Sequence, residues 1–354
     1  MEAVIIAGGL GVRLLPLTEH CPKHLLPVAG IPFVVHQLTK LAEADIGRVV
    51  LATSYLADQF EPVLGDGSRW GIELVYVREQ TPLGTGGAIS NAAIHRRSKP
   101  AEPVVIFNGD ILSGHDLSAQ IAQHRDREAE VTLHLVEVED ARAFGCVPTD
   151  DAGNVLGFVE KSPNPVSRQI NAGCYVFTRS IFDAISPGRV SVERETFPGL
   201  LASRRRVMGY LDNRYWLDVG TPDALRQASA DVVRGIAVSA AFPGPIGDAW
   251  LAEGVLVPTG SAVRGGSAVG PGTRLSTRVD IAGSVIGARS SIGPGCRVVD
   301  SVVGSDVVIG SDVILRNGVV GDRAHVGSQC ELIGGARVGY DVTLPARSVR
   351  FSPG

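Results

Sequence analysis

The chain opens with Val4-Ile5-Ile6-Ala7-Gly8-Gly9-Leu10-Gly11-Val12-Arg13-Leu14. The uninterrupted apolar run at its start predicts a strand that is buried on both faces, as in a parallel sheet. Three glycines within four positions then let the backbone turn sharply, so that successive N–H groups can point at an anion. Arg13 and Lys23 place two positive charges close behind. The stretch therefore predicts a phosphate-binding loop. Its candidate backbone contacts are Ala7, Gly8, Gly9 and Gly11.

Two familiar phosphate loops do not fit this stretch. A Walker loop needs Lys-Ser or Lys-Thr after its last glycine, whereas Gly11 is followed by Val12-Arg13. A dinucleotide fingerprint needs a third glycine or an alanine where Leu14 stands. A plain glycine turn with solvated Arg and Lys side chains is the structural alternative.

Composition limits the function classes. The 354 residues are enough for two domains, and 44% of them are hydrophobic, which suits a sizeable core. The net charge is −4 and no basic run exceeds Arg204-Arg205-Arg206, which argues against nucleic acid as a partner. The five cysteines form no C-x-x-C pair, and no run of 18 apolar residues occurs. We expect a soluble cytoplasmic protein without a membrane partner.

Apolar runs alternate with helical patterns as far as the predicted strand 104–107, which predicts an α/β domain in which a parallel sheet has helices on both faces. From Val131 the pattern changes to strands and turns, and a helix over about 223–234 closes the first domain. Ligands bind beyond the carboxyl ends of the strands in such sheets. The glycine loop, the turn at Gly84 and Asn108-Gly109-Asp110 all follow predicted strands. The predicted strands are 49–53, 72–77, 104–107, 131–138, 155–159 and 172–177, and the main predicted helices are 33–44, 84–95 and 223–234.

The last hundred residues form a repeat. Apolar-Gly pairs recur every 17 residues at Val269, Ile286, Val303 and Val320. A second series with the same period, Ile292-Gly293, Ile309-Gly310 and Val326-Gly327, lies six positions after the last three of these pairs. Six-residue units grouped into coils of about 17 or 18 residues are typical of a triangular β-helix. We predict a catalytic domain over 1–235, a proline-containing linker over 236–254 and a hexapeptide-repeat β-helix over 255–354.

The opening motif also carries a family resemblance. Gly8-Gly9, Gly11, Arg13-Leu14, Pro16-Leu17-Thr18 and Pro22-Lys23 resemble the signature of sugar-1-phosphate nucleotidyltransferases. The resemblance covers nearly the whole chain and is greatest to bacterial mannose-1-phosphate guanylyltransferases. It implies a Rossmann-like mixed sheet, a left-handed β-helix, and a reaction of a nucleoside triphosphate with a sugar-1-phosphate. Arg13 and Lys23 would then neutralise the triphosphate.

Nucleotidyl transfer needs positioning, cations and a divalent metal, and the ionised sugar phosphate needs no general base. Asp110 and Asp218 resemble the metal-binding aspartates of the family, which implies Mg²⁺ as the cofactor. Magnesium commonly binds through one or two carboxylates together with substrate phosphates. Asp218 alone would also suit a turn or a helix cap before Pro222.

The sugar phosphate has its own candidate residues. Glu160-Lys161 resembles the family's pair in which Glu holds sugar hydroxyls and Lys holds the phosphate. Asn171 and Gly145 occupy positions similar to those that contact the sugar. A solvated ion pair is the structural alternative for Glu160 and Lys161.

Glu79 precedes Gly84 by five positions, the spacing of the family's base-reading residue. Its carboxylate would accept from the adjacent N1–H and amino donors of guanine, which favours GTP. Thr85 and Gly109 complete the predicted nucleotide contacts. A backbone contact from Gly84 or Thr85 could override the choice of base, and an exposed strand-end glutamate is the structural alternative.

Two residues depart from the family pattern and leave the identity of the sugar substrate undecided. Val12 stands where the family commonly has Thr, and His24 where it commonly has Pro. Alternative substrates are heptose-1-phosphate, a cyclitol phosphate such as valienol-1-phosphate, and glucose-1-phosphate with UTP or dTTP. Other classes are a non-catalytic regulatory subunit and an acyltransferase that uses His325 as base. Because coil stacks end in open edges, we also expect a homo-oligomer.

Overall fold

The structure is a computed structural model that describes residues 1–95, 97, 99 and 102–349. Its contacts group the chain into two compact units, which we call unit 1 (residues 1–9 and 37–216) and unit 2 (residues 10–36 and those from 217 onward). The opening stretch is thus divided, since its strand belongs to unit 1 while Gly11 and Arg13 belong to unit 2. The boundaries 1–235, 236–254 and 255–354 stay a prediction.

The elements up to residue 233 alternate between short strands and helices. In chain order they are β1 (Glu2–Ala7), β2 (Pro27–Val28), β3 (Ile31–Pro32), α1 (Phe33–Glu43), β4 (Arg48–Thr53), α2 (Phe60–Leu64), β5 (Glu73–Arg78), α3 (Gly84–Ala93), β6 (Val104–Asn108), β7 (Ile111–Ser113), α4 (Leu117–Asp126), β8 (Val131–Glu137), β9 (Gly145–Cys146), β10 (Val159–Glu160), β11 (Gln169–Phe177), α5 (Phe197–Ala202), β12 (Val207–Leu211), β13 (Trp216–Asp218) and α6 (Pro222–Val233). Short 3-10 turns include Val12–Leu14 and Lys23–Leu25, and Val192–Thr196 forms a π-helical turn.

Unit 1 contains the predicted mixed sheet. Its strands run in the order β10-β9-β11-β6-β1-β4-β5, and β8 pairs with both β11 and β12. Strand β1 is parallel to β4 and β6, so Val4 lies between Val50 and Ile106, and all three are buried. Strand β11 is antiparallel to β6 and brings Tyr175 and Phe177 into the same core. The carboxyl ends of β1, β4, β5 and β6 therefore share one edge of the sheet.

The strand predicted over 155–159 is not formed as such. Only Val159–Glu160 is a strand, and Val155 makes a single bridge to Thr149. Gly157 lies inside the run, and a glycine in a strand interior weakens the strand. The other predicted elements of this region form, with ends that differ by a few residues.

Unit 2 contains the predicted β-helix. Its strands form three parallel ladders of six, five and five strands, in which each strand pairs with the one a coil further along. They are β14 (Ala249–Leu251), β15 (Ala262–Arg264), β16 (Ser267–Val269), β17 (Arg274–Leu275), β18 (Asp280–Ala282), β19 (Val285–Ile286), β20 (Ser291–Ile292), β21 (Arg297–Val299), β22 (Val302–Val303), β23 (Val308–Ile309), β24 (Ile314–Arg316), β25 (Val319–Val320), β26 (His325–Val326), β27 (Glu331–Leu332), β28 (Arg337–Val338) and β29 (Thr343–Leu344). Strand β14 lies inside the predicted linker.

One apolar residue per strand fills the interior of the coils, and Val269, Ile286 and Val303 belong to one continuous core. Helix α6, predicted as the end of the first domain, packs on β2 and β16 within unit 2. A Cβ at Gly266 would lie 2.6 Å from the Cβ of Ala230, so a glycine permits this approach. No helix in the described part of the chain is long and apolar enough to cross a membrane.

Candidate active site

The predicted nucleotide-binding residues of unit 1 lie at the shared carboxyl edge of its sheet. Gly8 follows β1, Glu79 follows β5, and Gly109 follows β6. The Gly109 amide donates to the Ile6 carbonyl at 3.0 Å, and the Glu79 amide donates to the Thr53 carbonyl at 2.8 Å. A Cβ at Gly8 would lie 3.5 Å from Oε2 of Glu79. The glycine loop and the predicted base-reading carboxylate are therefore direct neighbours.

Glu79 is buried, with 5% of the residue exposed. Its Oε2 accepts from the Leu83 amide at 3.1 Å, while Oε1 has no hydrogen-bond partner among the described residues. Burial raises the pKa of Glu79 above its ordinary value, and the bond from Leu83 opposes that rise. A buried acceptor without a donor costs free energy, which a bound N–H group would offset.

Helix α3 begins in a tightly packed turn. Gly84 has φ +72°, and a Cβ there would lie 2.6 Å from the Val190 carbonyl oxygen. The Gly86 amide donates to that same oxygen at 2.9 Å. The Thr85 hydroxyl donates to Glu193 at 2.7 Å and accepts from the Val192 amide at 2.9 Å. The Thr85 side chain thus fastens α3 to the π-helical turn, and its hydroxyl is engaged in the protein's own contacts.

The predicted sugar-phosphate residues also lie in unit 1. Glu160 pairs with Gly145 across β9 and β10, and a Cβ at Gly145 would lie 2.7 Å from Oε2 of Glu160. Lys161 has φ +51°, and its amide donates to the Phe144 carbonyl at 3.0 Å. Its Nζ lies 3.7 Å from Oε1 of Glu160, and its side chain is 62% exposed against 20% for Glu160. The carboxylate is sheltered, while the ammonium group reaches solvent.

Asn171 is held by a buried tyrosine. Its Oδ1 accepts from the Gly173 amide at 3.0 Å, and its Nδ2 donates to Oη of Tyr175 at 2.9 Å. Asn108 also donates to that Oη, at 3.5 Å. Burial is the main cause that raises the pKa of Tyr175 well above its ordinary value, so the phenol stays neutral. Tyr175 was missed by sequence reasoning, although it stands four residues after Asn171.

The loop residues of unit 2 form a closed turn. Gly11 is left-handed at φ +64°, and its carbonyl accepts from the Leu14 amide at 2.8 Å and from the Thr18 hydroxyl at 2.9 Å. A Cβ at Gly11 would lie 3.0 Å from Cγ2 of Thr18 and 3.1 Å from Cβ of Lys23. Arg13 and Lys23 thus stand on two 3-10 turns, and the backbone of Gly11 packs closely against the side chain of Lys23. Val12 is exposed, and His24 is buried.

Arg13, Asp218 and Gly220 come together within unit 2. Nη2 of Arg13 lies 3.9 Å from Oδ2 of Asp218, and these side chains are 63% and 33% exposed. A Cβ at Gly220 would overlap Nη2 of Arg13 and would lie 2.8 Å from Oδ1 of Asp218. Gly220 stands in the motif Trp216–Pro222. The motif alone does not indicate that the Arg13 side chain passes directly over Gly220.

The two candidate metal ligands are single carboxylates. Asp110 follows Gly109 at the sheet edge of unit 1 and is half-buried, and Asp218 ends β13 in unit 2. Within the described ranges, no group of three or more His, Cys, Asp or Glu side chains is placed to hold a metal ion. Hard carboxylate oxygens in ones or twos suit magnesium, which takes its remaining ligands from water and substrate phosphates.

A glycine loop and acidic residues at the carboxyl edge of a mixed sheet are typical of nucleotide-binding transferases. Residues 2–235 match the nucleotidyl transferase family, and the chain belongs to that family. The chain is 46% identical to mannose-1-phosphate guanylyltransferase of Mycobacterium tuberculosis over 99% of its own length and 98% of the relative's. It is 34% identical to the catalytic subunit beta of that enzyme in Drosophila melanogaster, over 62% of this chain and 60% of the relative.

Solved structures agree with this assignment. A putative glucose-1-phosphate thymidylyltransferase from Bacillus anthracis shares the fold, with a TM-score of 0.59 and 24% identity over 65% of this chain and 94% of that one. HddC from Yersinia pseudotuberculosis, solved in complex with GMP-PN, has a TM-score of 0.56 and 27% identity over 64% of this chain and 97% of its own. The resemblance to sugar-1-phosphate nucleotidyltransferases and the predicted enzyme class are confirmed.

Proposed function

We propose that this nucleotidyltransferase converts GTP and mannose-1-phosphate into GDP-mannose and pyrophosphate. An oxygen of the sugar phosphate attacks the α-phosphorus of GTP, and the bond from that phosphorus to the oxygen bridging the β-phosphorus breaks. Pyrophosphate leaves with the electron pair of that bond. The similarity to the mycobacterial guanylyltransferase along almost the whole length supports this choice of substrates.

The observation that carries the proposal is the buried carboxylate of Glu79, in which Oε2 accepts from the Leu83 amide and Oε1 has no hydrogen-bond partner among the described residues. Guanine presents N1–H and an amino group side by side, and both can donate to a carboxylate. Uracil and thymine present a carbonyl beside their single N–H, which a carboxylate would repel. Gly8 puts no side chain against this carboxylate, since a Cβ there would lie 3.5 Å from Oε2 of Glu79.

Positively charged side chains and backbone amides bind the phosphates in this proposal. Arg13 and Lys23 neutralise the triphosphate, while Ala7, Gly8, Gly9 and Gly11 allow close backbone approach. Asp110 and Asp218 would hold Mg²⁺, which supplies charge neutralisation of the phosphate oxygens when bound. Lys161 holds the attacking phosphate, and Glu160 and Asn171 contact the sugar hydroxyls, with Gly145 giving the sugar room. The attacking oxygen is already ionised, so no side chain removes a proton.

A substrate panel tests the proposal. Pyrophosphate release is measured for GTP, UTP, dTTP and ATP, each with mannose-, glucose- and heptose-1-phosphate and with valienol-1-phosphate. The highest kcat/KM is expected for GTP with mannose-1-phosphate. A preference for UTP or dTTP overturns the base assignment, and a preference for another phosphate overturns the sugar.

The other function classes have less support. A regulatory subunit would be expected to lose Arg13, Lys23 or a metal aspartate, and all of these residues are present. Acyl transfer through His325 would release a thiol from acetyl-CoA, and the same panel can include that assay. We further propose that the protein is cytoplasmic and that it forms a homo-oligomer supported by the β-helix. Val238 and Leu256, near the start of the β-helix, are 82% and 78% exposed, and association would cover such apolar side chains. Light scattering on the full chain should then give a multiple of 37.1 kDa.

A further inference from the structure

One column of the β-helix breaks its own pattern in its last described strand. Along the first ladder, the register places Ala268, Val285, Val302 and Val319 in line, and each of them is buried. The next position in the same register is Arg337, which is exposed. An arginine is not needed to continue the ladder, because the neighbouring Val338 supplies the interior contact of that coil. The presence of an exposed arginine in this otherwise apolar column therefore has another explanation.

That explanation is a contact with the Arg13 turn, which belongs to the same compact unit. Nη1 of Arg337 donates to the carbonyl oxygen of Leu15 at 2.5 Å and to that of Arg13 at 3.2 Å. These two carbonyls flank the end of the 3-10 turn Val12–Leu14, which carries the Arg13 side chain. A charged donor shared by two carbonyls fixes the spacing between them.

The same coil makes a second contact with this segment. The rings of Tyr340 and His20 lie with their centroids 4.0 Å apart. The Tyr340 hydroxyl accepts from Nη1 of Arg323 at 3.0 Å, so the ring is itself held in place by the preceding coil. Residues 13–20 are thus supported at both ends by one coil of the β-helix, and the guanidinium of Arg337 is the charged part of that support.

We propose that Arg337 is a positioning residue for nucleotidyl transfer and that it acts through the backbone of the Arg13 turn. This inference rests on the proposed function, because it takes Arg13 to bind the triphosphate. The β-helix then has a direct part in catalysis, since it orients the cation that meets GTP. Losing the two hydrogen bonds loosens the turn while the coil itself stays intact. The effect should fall on the use of GTP and leave binding of the sugar phosphate unchanged.

The test compares Arg337→Met, which keeps most of the aliphatic stem but no donors, with Arg337→Lys, which can reach one carbonyl. Arg297→Ala is the matched control, because Arg297 is an exposed β-helix arginine in another ladder. We expect R337M to lower kcat/KM for GTP by about tenfold, with an unchanged KM for the sugar phosphate and a Tm close to wild type. R337K should recover part of the loss, and R297A should behave as wild type.

Three results would overturn the proposal: full kcat/KM for GTP in R337M, a loss that follows a drop in Tm, or an equal loss in R297A. If the wild type uses a different nucleoside triphosphate or sugar phosphate, the same comparison is made with those substrates. An error in the proposed substrates is therefore seen in the wild type, and an error about Arg337 is seen only between the variants.

Discussion

The guanidinium of Arg13 occupies the space in which a side chain at Gly220 would have to begin. Asp218 is the neighbour of that guanidinium, and its Oδ2 lies 3.9 Å from Nη2 of Arg13. Gly220 also precedes the N-cap of α6, where the Thr221 hydroxyl accepts from the Ala224 amide at 3.2 Å. A glycine at this position thus lets a cation from the opening motif pass beside the candidate metal ligand.

Gly220→Ala should displace Arg13 without unfolding the chain. The added methyl group overlaps Nη2, and the long side chain can swing away at little cost to stability. A catalytic group displaced by about 1 Å commonly lowers the rate by about 100-fold, so we expect kcat/KM for GTP to fall by about 10- to 100-fold. Steady-state kinetics and a thermal melt of the same preparation measure both effects.

Gly199→Ala is the control for this variant, because nothing lies within 4 Å of a Cβ built at Gly199 in helix α5. It should keep wild-type kinetics. Wild-type kcat/KM in G220A would show that the position of Arg13 does not matter for turnover.

Asp110→Asn tests the proposed magnesium site. The amide keeps the shape of the side chain but removes the charge that a hard cation prefers. We expect kcat to fall on the order of 100-fold and the Mg²⁺ concentration for half-maximal rate to rise. A magnesium titration of the rate measures both, with Asp151→Asn on an exposed turn as the control. Turnover and magnesium dependence like those of the wild type would exclude Asp110 as a ligand.

Stability should fall as the protein is acidified below its neutral range. Burial lowers the pKa of His36, His124 and His134 to about 4, and it lowers that of His115 well below the ordinary value. The unfolded chain binds these protons near pH 6.5. Between about pH 6.5 and pH 4 the unfolded state therefore holds more protons, so the free energy of unfolding decreases as pH falls.

The decrease should approach about 1 kcal/mol per pH unit for each histidine that is buried neutral. Denaturant unfolding at pH 7.5, 6.5 and 5.5 measures it. His134 stacks on His115 with ring centroids 4.0 Å apart, and protonating either ring would place a charge against its neighbour. His134→Asn should make the pH dependence shallower. A free energy of unfolding that is constant between pH 7.5 and 5.5 would contradict the argument.

Much of the fold could be predicted because it depends on local pattern. The apolar run of β1 and the 17-residue spacing of the coils show, within each segment, which side chains will be buried. The break at Gly157 was missed because apolar residues on both sides suggested a longer strand. The packing of α6 on β16 was also missed, since a helix pattern shows which residues are buried but not what covers them.

The candidate site was predictable as a set of motifs but not as a set of contacts. The sequence motif predicts Thr85 as a nucleotide contact, and that role stays a prediction. The motif does not show that the Thr85 hydroxyl donates to Glu193 and accepts from the Val192 amide. The contact between Arg337 and the Arg13 turn joins segments that are far apart in the chain. No periodicity or spacing encodes such a contact, because it depends on how the finished coils meet the loop.

Glu79→Gln tests the choice of base. Glutamine has nearly the same shape, but its amide offers one acceptor oxygen and two N–H donors instead of a charged acceptor pair. If its nitrogen takes the position of Oε2, it faces the Leu83 amide, and if it takes the position of Oε1, it faces the guanine donors. Either orientation places two donors together. We therefore expect kcat/KM for GTP to fall by about 1–3 kcal/mol in transition-state free energy, as for the loss of one charged hydrogen bond.

The same change should move selectivity towards pyrimidines, because a side-chain N–H can donate to the carbonyl of uracil or thymine. The measured quantity is the ratio of kcat/KM for GTP to that for UTP in wild type and variant, which cancels any general loss of activity. Glu73→Gln is a matched control on the same strand, since its carboxylate pairs with Arg48 and Arg97 and is 49% exposed. The ratio should stay unchanged in E73Q and fall in E79Q. An equal ratio in E79Q and wild type would show that backbone contacts, and not this carboxylate, select guanine.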